Sequence, residues 1–276
     1  MGAYLYTNVA SLTAQRNLTS SQDMLKTSTE RLSSGKRVNS ARDDAAGIGI
    51  AKRFEGNVRG IRQGVRNAND GQAMAISGEA VLEQMAQMTL RIRELAVQAS
   101  NGTYSSSDRD LIQNEVTALK DQMTGLITNS KYNGSAFLAT GWAGMSIQYG
   151  DETTATFAIA PTSGLDLTTK ITNITAVNGD STGAAASASI STIDTMLSEI
   201  ATARSDFGKA AARLGYVAEA QGALAEAIDG ARSRIEDTDY AQETANMTRN
   251  QILQQAATAA LAQSNAMPNV ILSLIK

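Results

Sequence analysis

Residues 81–99 read VLEQMAQMTLRIRELAVQA, and their apolar side chains recur at alternating spacings of four and three residues. The series comprises Val81, Met85, Met88, Ile92, Leu95 and Ala99. This rhythm is typical of a helix that packs along one seam against other helices. The stretch therefore predicts a long helix with a coiled-coil-like face.

The same helix extends toward the N-terminus, because apolar residues continue there every seven positions: Phe54, Ile61, Ala68, Ala75 and Leu82. We predict one helix over about 43–100, ended by Gly102 in the left-handed conformation that caps helices. A second helix is predicted from Ser107, with Asp110 completing a capping box. Its apolar stripe is Ile112, Val116, Leu119, Met123 and Leu126.

The chain then turns back through a small β-rich region. Segments 145–149 and 155–159 alternate in polarity around Gly150-Asp151, which predicts a β-hairpin. Residues 178–189 are expected to form a loosely ordered connection. A third long helix follows. Its apolar strip runs for about six heptads, so at ~1.5 Å per residue the helix is on the order of 60 Å long. The strip is Ile193, Ile200, Phe207, Leu214, Gln221, Ile228 and Ile235.

Both ends of the chain carry apolar helical faces. Their candidate packing residues are Leu5, Val9, Leu12, Leu18, Leu25, Leu32, Ile252, Leu253, Leu261, Val270 and Leu274. Two terminal helices with such faces should pair with each other, and two helices alone cannot cover the broad C-terminal stripe. The surplus apolar surface predicts further protein partners. The alternative is that this surface folds back on the central bundle.

The composition excludes most catalytic chemistry. The chain has no Cys and no His, so it lacks thiolate metal sites, cysteine nucleophiles, the commonest general base and the commonest transition-metal ligand. No phosphate-binding loop, zinc-protease motif or calcium loop occurs. We therefore expect no enzyme activity, no catalytic residue, no cofactor and no metal.

The acidic clusters are better interpreted as structural. Asp43-Asp44 and residues 236–239 are expected to cap helices and form salt bridges, with Arg31, Arg37 and Arg42 as partners. The net charge is −3 and no basic patch carries interleaved aromatic residues, which argues against nucleic-acid binding. Aromatic residues make up only 4% of the chain, which suits thin helix-on-helix packing.

Targeting and membrane signals are weak. Residues 1–20 carry no early cation and no uninterrupted apolar run, so no secretory signal peptide is predicted. Residues 250–275 carry no charge and are long enough to span a bilayer, but their glutamines and asparagines would be costly in hydrocarbon. We expect no membrane insertion and a helix buried against protein.

Several motifs, taken together in order, resemble those of bacterial flagellin. They are ERLSSGKRVNSARDDAAG at 30–47, RNANDG at 66–71, RIRELAVQ at 91–98, SRIEDTDY at 233–240, QILQQ at 251–255 and NVILSLI at 269–275. The resemblance covers roughly residues 1–140 and 190–276. Only about fifty residues occupy the middle, so a short form without the large outer domains is implied.

The resemblance implies a mainly α fold of long antiparallel, coiled-coil-like helices with a small β-hairpin region. Residues 1–42 with 236–276 would form a discontinuous inner-core domain. Residues 43–235 would form a helical shell with a β-rich tip at about 135–185. The implied function is a structural subunit that assembles head to tail into the hollow flagellar filament, the motility propeller. Its terminal helices would be disordered in the exported monomer.

The resemblance also implies partners. Flagellins leave the cell through the flagellar type III export channel without a cleaved signal, and the filament is extracellular. They meet a secretion chaperone, a filament cap and junction proteins. Many are detected by Toll-like receptor 5, for which the matching positions here are Arg91, Leu95 and Glu115. Leu90 replaces the glutamine that active members commonly carry.

Other functions are left open by the residues themselves. The nearest alternative is a flagellar hook–filament junction protein, which shares the terminal helices but does not polymerise indefinitely. An enzyme in the middle segment is disfavoured by its small size and the absence of His. An adhesin would need a larger exposed binding cluster than Trp142 with Tyr149.

Overall fold

The computed structural model describes residues 8–160, 166–174, 176–178 and 183–275, with side chains up to Met267. These described residues form six helices and two short strand pairs. They are α1 (Val9–Ser34), α2 (Ala45–Ala99), α3 (Ser106–Asn129), β1 (Lys131–Tyr132), β2 (Ser135–Ala136), β3 (Met145–Gln148), β4 (Thr156–Ile159), α4 (Leu167–Asn173), α5 (Ala184–Glu236) and α6 (Tyr240–Ile275). The predicted fold class is confirmed.

The chain divides into two compact units, Met1–Val58 with Glu226–Lys276, and Arg59–Ala225. The predicted functional division into 1–42 with 236–276 and 43–235 stays a prediction, because compactness alone assigns no role in assembly. Within the described residues, the helices lack any 18-residue stretch of the hydropathy that a bilayer span requires.

The core of unit 59–225 is the seam predicted from the heptads. Ala68, Ala75 and Leu82 of α2 are fully buried, and so are Ile193, Ile200 and Leu214 of α5, while Phe207 is 2% exposed. Met74, Met85 and Met123 are also fully buried in this core. The long helices are explained by this continuous burial, since tertiary packing of an apolar face supplies most helical stability.

The turn between α2 and α3 differs from the prediction. Gly102 does not have a positive φ, and no left-handed glycine ends α2. Instead the buried guanidinium of Arg109 donates from Nε to the Ala99 carbonyl (2.7 Å) and from Nη2 to the Asn101 carbonyl (3.0 Å). A side chain from the next helix therefore satisfies carbonyls that a C-cap glycine would otherwise help to satisfy.

The capping box of α3 lies two residues before the predicted one. The Asp108 amide donates to Ser105 Oγ (3.3 Å), and the Ser105 amide donates to Asp108 Oδ2 (3.0 Å). The same serine-and-acid spacing occurs at both places in the sequence, so spacing alone could not choose between them. Hydrogen bonds from Ser105 lower the pKa of the Asp108 carboxyl.

The predicted β-hairpin is present as β3 and β4, paired antiparallel with Met145 opposite Ile159. It lies on a row of small residues of α2. A Cβ added at Gly64 would lie 2.0 Å from the Tyr149 carbonyl oxygen, and one at Gly71 would lie 2.9 Å from Ile147. Close approach of backbone to helix explains these glycines.

Two further local elements were not predicted. Strands β1 and β2 form a tight hairpin around Asn133 and Gly134, both with positive φ. Residues 184–189 belong to α5, so the expected loose connection over 178–189 is wrong for that part. Gly183, with φ +80°, sets the start of α5 directly against the backbone of Ser100.

Candidate assembly surface

Helices α1 and α6 form an antiparallel pair. At one end Asn8 Nδ2 donates to the Ser264 carbonyl (2.8 Å), and Ser11 Oγ donates to Asn265 Oδ1 (2.7 Å). At the other end Arg31 Nη1 lies 3.8 Å from Glu243 Oε2. The two ends of the chain therefore lie side by side along the length of α1.

The seam between α1 and α6 is small and polar. Its buried residues are Ala14, Ser21 and Ser28 of α1, and Glu243 and Asn250 of α6. The three α1 residues recur every seven positions, which is the sequence signal by which this seam could have been found. Sequence reasoning missed it because it followed only large apolar residues.

The predicted packing residues fall into three groups. Leu18, Leu25, Leu32 and Leu261 are partly buried at the edge of the seam. Leu5 lies outside the described residues, and the side chains of Val270 and Leu274 lie outside the described part of α6. The remaining predicted residues are exposed.

Those exposed residues form outward apolar faces. Val9 is 60% exposed, Leu12 51%, Ile252 60% and Leu253 44%, and Met24 and Met267 are exposed as well. The pair is thus inside-out, with polar residues in its seam and large apolar side chains in solvent. Exposed apolar patches of this kind mark sites of protein association.

Two segments meet beside this pair: residues 35–38, which follow α1, and residues 235–238, which comprise the end of α5 and the first residues after it. We name them together the connector clamp. Lys36 and Asp237 form an antiparallel β-bridge. The Arg37 amide donates to the Glu236 carbonyl (2.6 Å), and the Thr238 amide donates to the Gly35 carbonyl (2.9 Å).

Side chains reinforce the connector clamp. Lys36 Nζ pairs with the Glu236 carboxylate, and the Arg37 guanidinium donates to the Ile235 carbonyl. Glu236 therefore forms an ion pair with Lys36, whereas Arg31, Arg37 and Arg42 were predicted as partners of the acidic clusters. The capping role predicted for Asp239 is confirmed, since its Oδ1 accepts from the Ala241 amide at 2.9 Å.

The three predicted receptor positions differ in how far they are buried. Arg91 Nη2 and Glu115 Oε1 are 2.8 Å apart on the surface shared by α2 and α3. Hydrogen bonds with Glu115 and then Glu94 raise the pKa of the Arg91 guanidinium. Leu95 is only 2% exposed and belongs to the core of unit 59–225. Arg91 and Glu115 can meet a partner directly, whereas the Leu95 side chain cannot do so without a movement of α2.

Two family models match the chain. The bacterial flagellin N-terminal helical region matches residues 5–143, and the bacterial flagellin C-terminal helical region matches residues 190–275. The chain belongs to the bacterial flagellins. Both halves of the assembly surface lie in the matched regions, while the β3–β4 hairpin and α4 lie between them.

Full-length relatives agree. The chain is 39% identical over 313 positions to a flagellin of Xenorhabdus nematophila and 36% identical over 352 positions to a flagellin of Serratia marcescens, with all of each chain covered. Flagellin B of Vibrio anguillarum is 29% identical over 375 positions, again with full coverage. These alignments are longer than the 276 residues here, consistent with a short flagellin lacking outer domains.

Two solved structures share the fold. Bacillus cereus flagellin is 28% identical with a TM-score of 0.50, covering 56% of this chain and 88% of that one. A putative flagellar hook-associated protein from Vibrio parahaemolyticus is 15% identical with a TM-score of 0.59, covering 71% of this chain and 100% of that one. The second likeness shows the fold alone, so the junction-protein alternative has less support.

This flagellin is a structural subunit of the bacterial flagellar filament. This conclusion rests on the two family models, whose matches include α1 and α6, and on the full-length flagellin relatives. Its location is therefore the filament.

Proposed function

We propose that the chain polymerises head to tail into a hollow helical tube that serves as the motility propeller. Residues 1–42 with 236–276 form the inner core, and residues 43–235 form the surrounding shell with its tip at about 135–185. The observation that carries this proposal is the inside-out α1–α6 pair, because its apolar faces need the same faces of other copies. A contact between two different surfaces of one molecule does not close on itself, so it grows.

The proposal extends to the state of the free subunit. Ordering a residue costs about 1–2 kcal/mol of backbone entropy, and burial of a large apolar side chain returns roughly 1.5–3 kcal/mol. The buried residues of the α1–α6 seam are Ala14, Ser21, Ser28, Glu243 and Asn250, and its leucines are only partly buried, so the pair alone realises only part of its possible apolar burial. Helices α1 and α6 therefore order fully only when neighbouring copies cover Leu12, Ile252 and the other outward residues.

Electron microscopy tests this function. Purified monomer is mixed with short filament seeds, and a variant lacking residues 241–276 is the control. Long tubes from the intact chain and none from the truncated one are expected. Monomers that persist beside competent seeds would contradict self-polymerisation and favour the junction protein.

A matched pair of substitutions sharpens the test. Leu12→Ser removes an outward apolar side chain that is 51% exposed. Thr19→Ser changes an exposed polar residue of the same helix. The first variant should fail to elongate seeds at the wild-type rate and the second should not. Equal elongation would refute the role of the outward face.

We further propose the partners that such a subunit needs. Export runs through the flagellar type III channel without a cleaved signal. The secretion chaperone covers α6, because the exposed apolar side chains of Ile252, Leu253 and Met267 would otherwise favour aggregation. The cap and junction proteins contact the ends of the filament. The role is structural throughout, with no catalytic activity.

Recognition by Toll-like receptor 5 is proposed through Arg91 and Glu115, with Leu95 shaping the helix beneath them. Support comes from the exposed Arg91–Glu115 ion pair on the α2–α3 surface. A receptor reporter assay with Arg91→Ala tests it, with Arg93→Ala as the matched control because Arg93 pairs with Asp194 at 2.6 Å nearby. Loss of signalling specific to Arg91→Ala is expected, and equal signalling from both variants would refute the proposal.

A further inference from the structure

Two Asn-Gly pairs lie wholly within the described residues, Asn101-Gly102 and Asn133-Gly134. This pair of residues is chemically reactive, because glycine has no side chain to shield its amide nitrogen. That nitrogen attacks the preceding side-chain carboxamide when the peptide between the two residues rotates toward it. Both pairs share this covalent chemistry, so a difference in their reactivity comes from the fold.

The peptide between Asn101 and Gly102 is held in place. Its carbonyl oxygen accepts from the Tyr104 amide (3.4 Å) and from Nη2 of the buried Arg109 (3.0 Å). The Asn101 side chain is fixed as well, since its Oδ1 accepts from the Thr103 amide (3.2 Å). A peptide is planar, so a rotation that brings the Gly102 nitrogen to the side chain turns this carbonyl away from both of its donors.

The peptide between Asn133 and Gly134 has no such restraint. It lies at the centre of the β1–β2 hairpin, in which Tyr132 pairs with Ser135. The φ angles of +48° at Asn133 and +83° at Gly134 are those of the turns that close two-residue hairpins. Among the residues that the structure describes, none is hydrogen-bonded to the Asn133 carbonyl or to the Gly134 amide. Both residues are exposed, so this peptide can rotate without breaking a hydrogen bond.

We propose that Asn133 is a site of spontaneous covalent modification in the folded chain. The Gly134 nitrogen attacks the side-chain carbonyl carbon of Asn133, and the new C–N bond closes a cyclic succinimide. The old C–N bond of the carboxamide breaks, and its nitrogen leaves as ammonia with the proton of the Gly134 amide. Water then opens the ring at either carbonyl, which gives aspartate or isoaspartate.

Both products change the hairpin. Each carries a negative charge where the amide was neutral, and isoaspartate adds a carbon to the backbone between β1 and β2. Because loop length sets the register of a hairpin, isoaspartate disturbs the pairing of Tyr132 with Ser135. The Tyr132 hydroxyl also donates to the Asp70 carbonyl of α2 (3.2 Å), so the change weakens the attachment of the hairpin to that helix. The reaction needs only the folded chain and water, and it therefore proceeds in a single copy as well as in a filament.

Incubation of the full-length protein in mildly alkaline buffer tests the proposal. Mass spectrometry of peptides follows the conversion of amide to acid at each asparagine. Two hydrogen bonds to the rotating peptide must break at Asn101 and none at Asn133, so we expect Asn133 to convert about tenfold faster or more. Conversion at Asn101 as fast as at Asn133 would overturn the proposal.

The same measurement in urea isolates the effect of the fold. The unfolded chain holds neither peptide, so the two asparagines should convert at rates within about threefold of each other. A preference for Asn133 that is undiminished in urea would show that the local sequence causes it, and would overturn the role of the hairpin.

A matched pair of substitutions completes the test. Asn133→Gln and Asn101→Gln each keep an amide, but the longer side chain would have to close a larger ring. Labelling of the aged protein with an isoaspartyl methyltransferase should fall more in Asn133→Gln than in Asn101→Gln. An equal fall in the two variants, or a larger fall in Asn101→Gln, would contradict the assignment.

Discussion

Substitution of Arg109 by Met is the most informative single change in unit 59–225. The side chain is fully buried, and its two hydrogen bonds of 2.7 and 3.0 Å reach the carbonyls at the end of α2. Met has similar length but no donor, so at least the Ala99 and Asn101 carbonyls lose a charged partner. The Ala99 bond is buried and the Asn101 bond is only partly buried. A buried acceptor left unsatisfied costs about 1–3 kcal/mol and a partly exposed one less, so we expect the free energy of unfolding to fall by ~2–4 kcal/mol.

Urea unfolding followed by Trp142 fluorescence measures this cost. Trp142 is the only tryptophan and stacks on Phe207 at a centroid distance of 6.2 Å, so it reports on the core of the same unit. Arg91→Met is the matched control, because that arginine is half exposed and ion pairs at such surface positions contribute little to stability. A free energy of unfolding for Arg109→Met that equals the control's would refute the capping role.

Two further predictions concern the same unit. Gly64→Ala would place a Cβ 2.0 Å from the Tyr149 carbonyl oxygen, so calorimetry should show a loss of ~1–3 kcal/mol that Gly56→Ala does not show. Hydrogen bonds from Ser105 lower the pKa of Asp108 below 3.8, so its contribution to stability is present above that pH and lost as pH falls through the lowered value. The stability difference between wild type and Asp108→Asn should therefore shrink from pH 7 to pH 2 in urea titrations, and a constant difference would contradict the assignment.

The long helices were predictable because their burial is periodic. Ile193, Ile200 and Phe207 lie seven residues apart and all are buried, so the heptad pattern alone located α5. The β3–β4 hairpin was predictable for a similar reason, since alternation around Gly150-Asp151 is local information. The ends of the elements were predicted less accurately. The cap of α3 is Ser105 rather than Ser107, because both serines stand three residues before an acidic residue.

Features that depend on distant partners could not be predicted. Arg109 reads as an ordinary surface arginine until α3 folds beside the end of α2. Leu167 and Ile171 of α4 are buried, and α4 packs against α3. The sequence around α4 resembles a polar linker, so its local pattern does not predict this packing.

The candidate site shows the same limit. The outward residues Leu12 and Ile252 were predicted from their apolar pattern. The polar seam through Ser21 and Asn250 was missed, since a buried polar residue at a helix interface carries no apolar signal.

The critical concentration for filament growth tests the central claim, that outward apolar faces of α1 and α6 hold copies together. Leu253→Ser removes a side chain that is 44% exposed in the single chain. Full burial of a leucine is worth roughly 1.5–3 kcal/mol, and less than half of this side chain remains to be covered on assembly, so the critical concentration should rise about three- to tenfold. Gln251→Ser changes an exposed polar residue of the same helix and should leave the critical concentration unchanged within about twofold. An unchanged critical concentration for Leu253→Ser would contradict the account.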